Sequence, residues 1–166
     1  MKEIGIRELK ENFVSMISDQ WALLTAGKPD NYNMMTVSWG GIGELWGKDV
    51  CFVFVRPQRY TYKYMEQNEY FTLSFYGGEY KKELGICGSK SGKDTDKTAL
   101  IGFEPLEIDD KSVSFKEAKI TVLLRKIAYQ DMDPKGFIAP EIMETYKAAD
   151  FHRTYVGEIV KVFVND

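Results

Sequence analysis

Arg56, Arg59 and Thr61 follow directly on an apolar run, Val50 to Val55, and Pro57 lies between the two arginines. Proline fixes the backbone at a turn, and the pattern after Thr61 becomes helical, with Tyr62 and Met65 on one side. Two guanidinium forks and a hydroxyl at the start of a helix suit a phosphate, because the forks carry the charge and free N–H groups add donors. The same residue types could also serve as halves of surface ion pairs. The proline-fixed turn, which sets both forks relative to the helix end, favours a phosphorylated small ligand.

Three further segments hold candidate chemistry. Asn33-Met34-Met35-Thr36-Val37-Ser38-Trp39-Gly40-Gly41 alternates small hydroxyls with bulky groups. One face of such a strand could hydrogen-bond a polar ring edge or phosphate while the other packs in a core, or Thr36 and Ser38 could simply face water. The stretch from Ile86 to Lys97 is rich in lysine and glycine but is no Walker A loop, since Asp94 stands where Ser or Thr is needed. Taken alone, it reads as a solvated loop. His152 is the only histidine, with no Ser or Cys nucleophile motif beside it, so either an acid–base or a structural role is open to it. Cys87, before a glycine, reads better as a buried inert thiol than as a reactive one. No His, Cys, Asp or Glu spacing suits a metal, and no catalytic residue is assigned.

Elements that position these groups can be read from the 166-residue chain, which has the length and composition of a single domain, 1–166: 44% hydrophobic and 28% charged. Aromatic residues make up 14%, more than a core this size needs, so some belong at a surface, interface or ligand. A net charge of −3 argues against nucleic acid and anionic membranes as partners. No apolar stretch approaches a membrane span, the N-terminal residues lack the apolar core of a signal peptide, and the two cysteines have no metal or redox spacing. The expected location is the cytoplasm.

Spacing predicts an amphipathic helix through Ile6, Leu9, Phe13 and Ile17, then strands at Trp21–Ala26 and Asn33–Gly40, with Gly40–Gly43 as a turn. Strands follow at Leu45–Trp46, Val50–Val55, Tyr70–Phe75, Ser112–Phe115, Ile120–Ala128 and Tyr155–Val164. Short helices are expected at Tyr60–Glu66, Lys81–Ile86 and Glu141–Lys147. Many short strands with few helices predict a mainly β fold, a closed or nearly closed barrel.

In order along the chain, five segments resemble the flavin reductase-like family of FMN-binding split barrels, and the flavoredoxins within it. They are Asn33-x-Met35 to Gly41, Val53-x-Val55-Arg56-Pro57-x-Arg59-Tyr60-Thr61, Phe71 to Phe75, Cys87-Gly88-x-x-Ser91-Gly92-x-Asp94-x-Asp96-Lys97, and Gly157-Glu158-Ile159. The resemblance implies a six-stranded antiparallel split barrel that forms a homodimer and holds FMN at or near the interface. The cofactor-binding residues it implies are Asn33, Met35, Thr36, Val37, Ser38 and Trp39 along the ring, with Arg56, Arg59, Tyr60, Thr61, Lys90, Ser91 and Lys97 toward the phosphate and ribityl chain. It further implies an oxidoreductase passing electrons from a reduced nicotinamide, through FMN, to a flavin or other acceptor. Hydride transfer to a flavin needs no dedicated protein base, consistent with the missing triad. A flavoredoxin-like electron carrier, reduced by a redox protein and without NAD(P)H oxidation of its own, is the alternative. A split barrel holding haem and a stacking barrel for single-stranded nucleic acid are further rivals; negative charge disfavours the second. The stretch Asp131–Ala149 matches nothing in the family pattern.

Overall fold

A computed structural model describes residues 1–165. Its strands are β1 (Lys2–Ile4), β2 (Ala22–Lys28), β3 (Asn31–Val37), β4 (Gly40–Leu45), β5 (Lys48–Val55), β6 (Tyr70–Phe75), β7 (Pro105–Ile108), β8 (Ser112–Phe115), β9 (Ile120–Asp131) and β10 (Arg153–Val164). The helices are α1 (Phe13–Ser15), α2 (Thr61–Gln67), α3 (Lys81–Ser89) and α4 (Lys97–Ile101). Among the described residues there are thus ten strands rather than six. The additions to the barrel include the short β1, which borrows an edge of β10, and the separate β7–β8 ribbon.

Every pairing is antiparallel, and the main sheet runs β3-β2-β6-β9-β10-β5-β4. Its two ends, β3 and β4, are consecutive in sequence yet not paired with each other. Only Ser38 and Trp39 join them, so the barrel is split at the segment that the sequence marks as ligand-facing.

Alternation along β2 and β3 explains why both strands are buried on both faces. Leu24, Ala26, Met35 and Val37 point into the barrel core. Their neighbours Leu23 and Met34 enter a second core with Leu84 and Cys87 of α3 and Phe115 of β8. α3 therefore lies against the outer face of β3, a placement that fixes one wall of the site.

Two sequence expectations give way here. Gly40–Gly43 is strand, not turn: the glycines let β4 lie close to β5, where a Cβ at Gly40 would stand 3.0 Å from the Phe52 carbonyl and those at Gly41 and Gly43 would touch the Phe52 ring. The expected N-terminal helix is broken into a 3-10 turn at Ile6–Glu8 and a restart at α1, which runs on as a π turn through Met16–Gln20. Asn12 causes the restart by accepting the Val14 and Ser15 N–H groups at 3.0 and 3.3 Å. The short helix expected at Glu141–Lys147 is present, as a 3-10 helix over Pro140–Tyr146.

Candidate functional site

Where the barrel is split, the last residues of β3 and the Ser38–Trp39 link form one wall of a pocket of about 180 Å³. Phe54 from β5, Arg56 just after it, Arg59 and His152 complete it. A second pocket of about 220 Å³ is lined by Gln58, Arg59, Tyr60, Thr61, the end of α3 and Lys97. Arg59 lines both, so they form two ends of one groove.

The backbone of β3 has polar groups to offer this groove. Met34 gives its carbonyl oxygen to Lys97 Nζ at 2.7 Å, away from β2. By strand alternation, Thr36 also turns its N–H and C=O away from β2. The Thr36 hydroxyl is occupied, donating to the Leu84 carbonyl of α3. Met35 and Val37 bury their side chains in the barrel core, so what they bring to the pocket is chiefly backbone. Trp39 is half exposed, its ring centroid 5.4 Å from that of His152.

At the other end, buried Asn33 donates Nδ2–H to the Thr61 hydroxyl at 2.8 Å, which orients that hydroxyl. Gly92 lies so close that a Cβ would meet Asn33 Oδ1 at 1.9 Å, so the loop can press on Asn33 only with glycine there. Lys90 and Ser91 are exposed along the rim of the second pocket, and Tyr60 takes a hydrogen bond from Lys63 at 2.6 Å. The free N–H groups expected at the start of α2 are fewer than the sequence implies, since Tyr62 N–H closes a turn onto the Arg59 carbonyl. Side chains must do most of the anion binding.

Arg59 and Lys97 are the unusual pair. Lys97 is only 4% exposed, and its ammonium donates to two carbonyls, those of Met34 and Cys87, the latter at 3.0 Å. Arg59 donates weakly to the same Cys87 carbonyl at 3.4 Å. Neither meets a carboxylate among the described residues. Burial, opposed in part by Cys87, pushes Lys97 down to about 8; Arg59 is lowered by burial and by Arg56. Two cations in one wall without a counter-ion leave room for an anion. Burial also holds the Cys87 thiol up, to about 11, which suits an inert role.

Arg56 is different. Its guanidinium is paired with Asp150 Oδ2, donates to the Thr145 carbonyl at 3.2 Å and lies 5.3 Å from the Tyr146 ring centroid. All three partners lie in or just beyond the stretch that the sequence matched to nothing. That stretch thus reaches the groove through Arg56 and through His152, whose Nδ1 lies 2.7 Å from the Tyr146 hydroxyl. Burial and the Arg56 charge push His152 down to about 4, so it is neutral at ordinary pH. Phe54, Tyr146 and Asp150 were not legible as site residues; the lone histidine two positions beyond Asp150 was the one available signal.

A larger cleft of about 740 Å³ opens beyond Lys97, lined in part by Asp30, Asp96 and Glu104. Its carboxylates repel phosphate, so its size does not make it the anion site. Among the described residues no group of His, Cys, Asp and Glu is arranged to hold a metal, and no helix is long and apolar enough to cross a membrane.

An antiparallel barrel, split beside a groove with a polar strand edge at one end and two cations without carboxylate partners among the described residues at the other, is a split barrel. The chain belongs to the flavin reductase-like family, whose domain model matches residues 14–166. Among solved structures it is similar to flavoredoxin from Methanosarcina acetivorans, with 23% identity over 100% of this chain and 77% of that one and a TM-score of 0.67. It is also similar to an FMN-binding protein from Thermus thermophilus with bound 1-cyclohex-2-enone (17%, 99% and 80%, 0.70). A third is an NADH:FAD oxidoreductase from Streptomyces globisporus C-1027 (10%, 88% and 75%, 0.68). The comparison with curated proteins finds no match for this sequence.

Proposed function

We propose that the protein binds FMN in this groove and works as an oxidoreductase, passing electrons from a reduced nicotinamide to a flavin or another acceptor. The observation that carries the reading is buried Lys97 beside half-buried Arg59, neither with a carboxylate among the described residues, at the end of a slot edged by β3. A phosphate at Arg59, Lys97, Thr61 and Lys90 supplies the missing negative charge. The outward-turned backbone of Thr36 and the neighbouring Ser38 supply hydrogen bonds for a flat heteroaromatic ring. Trp39, Phe54 and His152 wall the open side of that slot. When bound, FMN supplies the electron-transfer chemistry; these residues orient it and leave one side accessible to donor and acceptor.

The similarity to flavoredoxin supports a second reading, an FMN-binding electron carrier reduced by a redox protein. Either form would act in the cytoplasm as a homodimer. Visible absorbance of the purified protein, followed by anaerobic NADH or NADPH, separates the readings. Flavin bands that bleach support the reductase; bands that persist support the carrier. A protein that neither carries nor takes up FMN refutes both.

A further inference from the structure

Lys97 lines two openings, the phosphate end of the groove and the larger cleft. The loop from Lys90 to Asp96 divides them: Lys90 and Ser91 border the groove, Gly92 and Asp96 the cleft. Size alone would send an anion to the cleft, but the charges at the two rims oppose that. Asp30 and Asp96 are exposed at the cleft and form no ion pair among the described residues, Asp96 Oδ1 accepting the Ala99 N–H at 3.1 Å. The third carboxylate there, Glu104, is paired with Lys116.

The rim of the groove is basic. Lys63 donates to the Tyr60 hydroxyl at 2.6 Å and lies 4.1 Å from the centre of that ring, and Tyr60 borders the groove. Lys93 follows two residues after Ser91, its backbone N–H bonded to the Ser91 hydroxyl at 3.2 Å. The Tyr60 phenol is held below its usual range, chiefly by the bond from Lys63, with the charge of Lys93 acting in the same direction. Lys63, Lys90 and Lys93 are exposed, and none meets a carboxylate among the described residues; Asp94, beside Lys93, pairs with none of them. Elsewhere Lys48, Lys111, Lys116, Lys119, Lys147 and Lys161 all meet one.

We propose that Lys63 and Lys93 are guide residues, which draw a phosphorylated ligand to the groove and away from the cleft, and so favour a phosphorylated flavin over a dephosphorylated one at the moment of entry. This inference rests on the flavin reading of the groove and adds a role for two residues outside its lining. Exposed charges of this kind contribute little once an ion is seated, because water and salt screen them. Their field still reaches about 10 Å at ordinary ionic strength, which biases the approach of a dianion and raises its rate of entry. Half-buried Arg59 and buried Lys97 hold the phosphate afterwards and govern its departure.

Rates of entry and departure separate these roles. Stopped-flow quenching of flavin fluorescence by flavin-free protein at low salt should show FMN entering about tenfold more slowly when Lys63→Glu and Lys93→Glu are combined. Departure should stay within about twofold of the wild-type rate. Arginine at both positions should restore entry, about 0.5 M salt should erase the difference, and riboflavin should enter all three proteins alike. Slower entry that riboflavin shares, or unchanged entry with faster departure, overturns the proposal. The field can also be read in wild-type protein without flavin, from the broadening of amide proton signals by a nitroxide bearing a carboxylate and by one bearing an ammonium. The carboxylate probe should broaden Ser91 more than the ammonium probe does, with the reverse at Thr98 in the cleft. The same preference at both sites overturns the proposal, and this holds even for a protein that takes up no flavin, a failure that refutes the functional reading alone.

Discussion

Replacing Arg59 and Arg56 separately should give very unequal results, although the sequence treats them as a pair. Arg59 has no carboxylate partner among the described residues and only a weak bond to the Cys87 carbonyl, so its charge is available to the FMN phosphate. A hydrogen bond to a charged group is worth about 1.5–3 kcal/mol, which is roughly a 10- to 150-fold loss of affinity in Arg59→Ala. Arg56 already has its charge answered by Asp150 and its fork engaged by the Thr145 carbonyl. Arg56→Ala should therefore loosen the stretch around Thr145–Asp150 while changing FMN affinity by less than about threefold, the scale of a screened charge. Flavin fluorescence quenching during titration of flavin-free protein measures both constants. Riboflavin, which lacks the phosphate, is the internal control: its affinity should be nearly the same for wild type and Arg59→Ala. Equal FMN losses in the two variants would refute this division of labour, as would an Arg59→Ala defect that is as large for riboflavin as for FMN.

Lys97 supplies a pH dependence. Its ammonium, held down to about 8 by burial, is the form that binds phosphate, so FMN binding takes up a proton once the pH passes that value. Affinity should be flat between about pH 7 and 8, above the second phosphate ionisation, and fall by up to about tenfold per unit above that. Lys97→Met should be weaker and lack that fall; identical profiles for the two proteins would contradict the assignment. Gly157 tests the fold instead. At the bulge in β10, a Cβ there would stand 2.8 Å from Phe71 Cζ and 3.1 Å from Leu124 Cβ. Gly157→Ala should cost about 1–3 kcal/mol through overpacking, seen as a lowered denaturant midpoint; an unchanged midpoint would show that the barrel interior can yield there.

Much of the barrel was legible because its signals are local. Period-two alternation in Val50–Val55 and Phe71–Phe75, and the turn at Pro57, depend on neighbours in sequence. Core packing and the strand-to-helix passage then follow directly. β4 was misread because glycine is ordinarily a turn residue; its use here, letting β5 come close, depends on Phe52 across the sheet. The phosphate end was legible as residue types but not as roles. Nothing about Arg56-Pro57-Gln58-Arg59 says that one arginine is claimed by Asp150, ninety-odd residues away, and the other is not. Nor does Lys97, in a segment that reads as a solvated loop, announce that it is buried beneath α3. Such roles depend on contacts between distant segments, which spacing does not encode.

β10 joins three strands at once, β9 along its length, β5 at its start and β1 near its end. β5 pairs otherwise only with β4, so this two-strand piece has no link to the rest of the sheet until residues 153–164 have been made. Phe54 and Arg56 are on β5 or directly after it, while the β3 wall and Lys97 belong to the part that can assemble earlier. The groove is therefore complete only once residues 153–164 have joined β5 to β9, even though nearly all its residues lie in the first hundred. Such non-local closure is slow by nature, and FMN cannot template the early stages of folding. A flavin bound there, as proposed, would be acquired after this closure, so flavin supply should govern how much of the protein is loaded rather than how much folds.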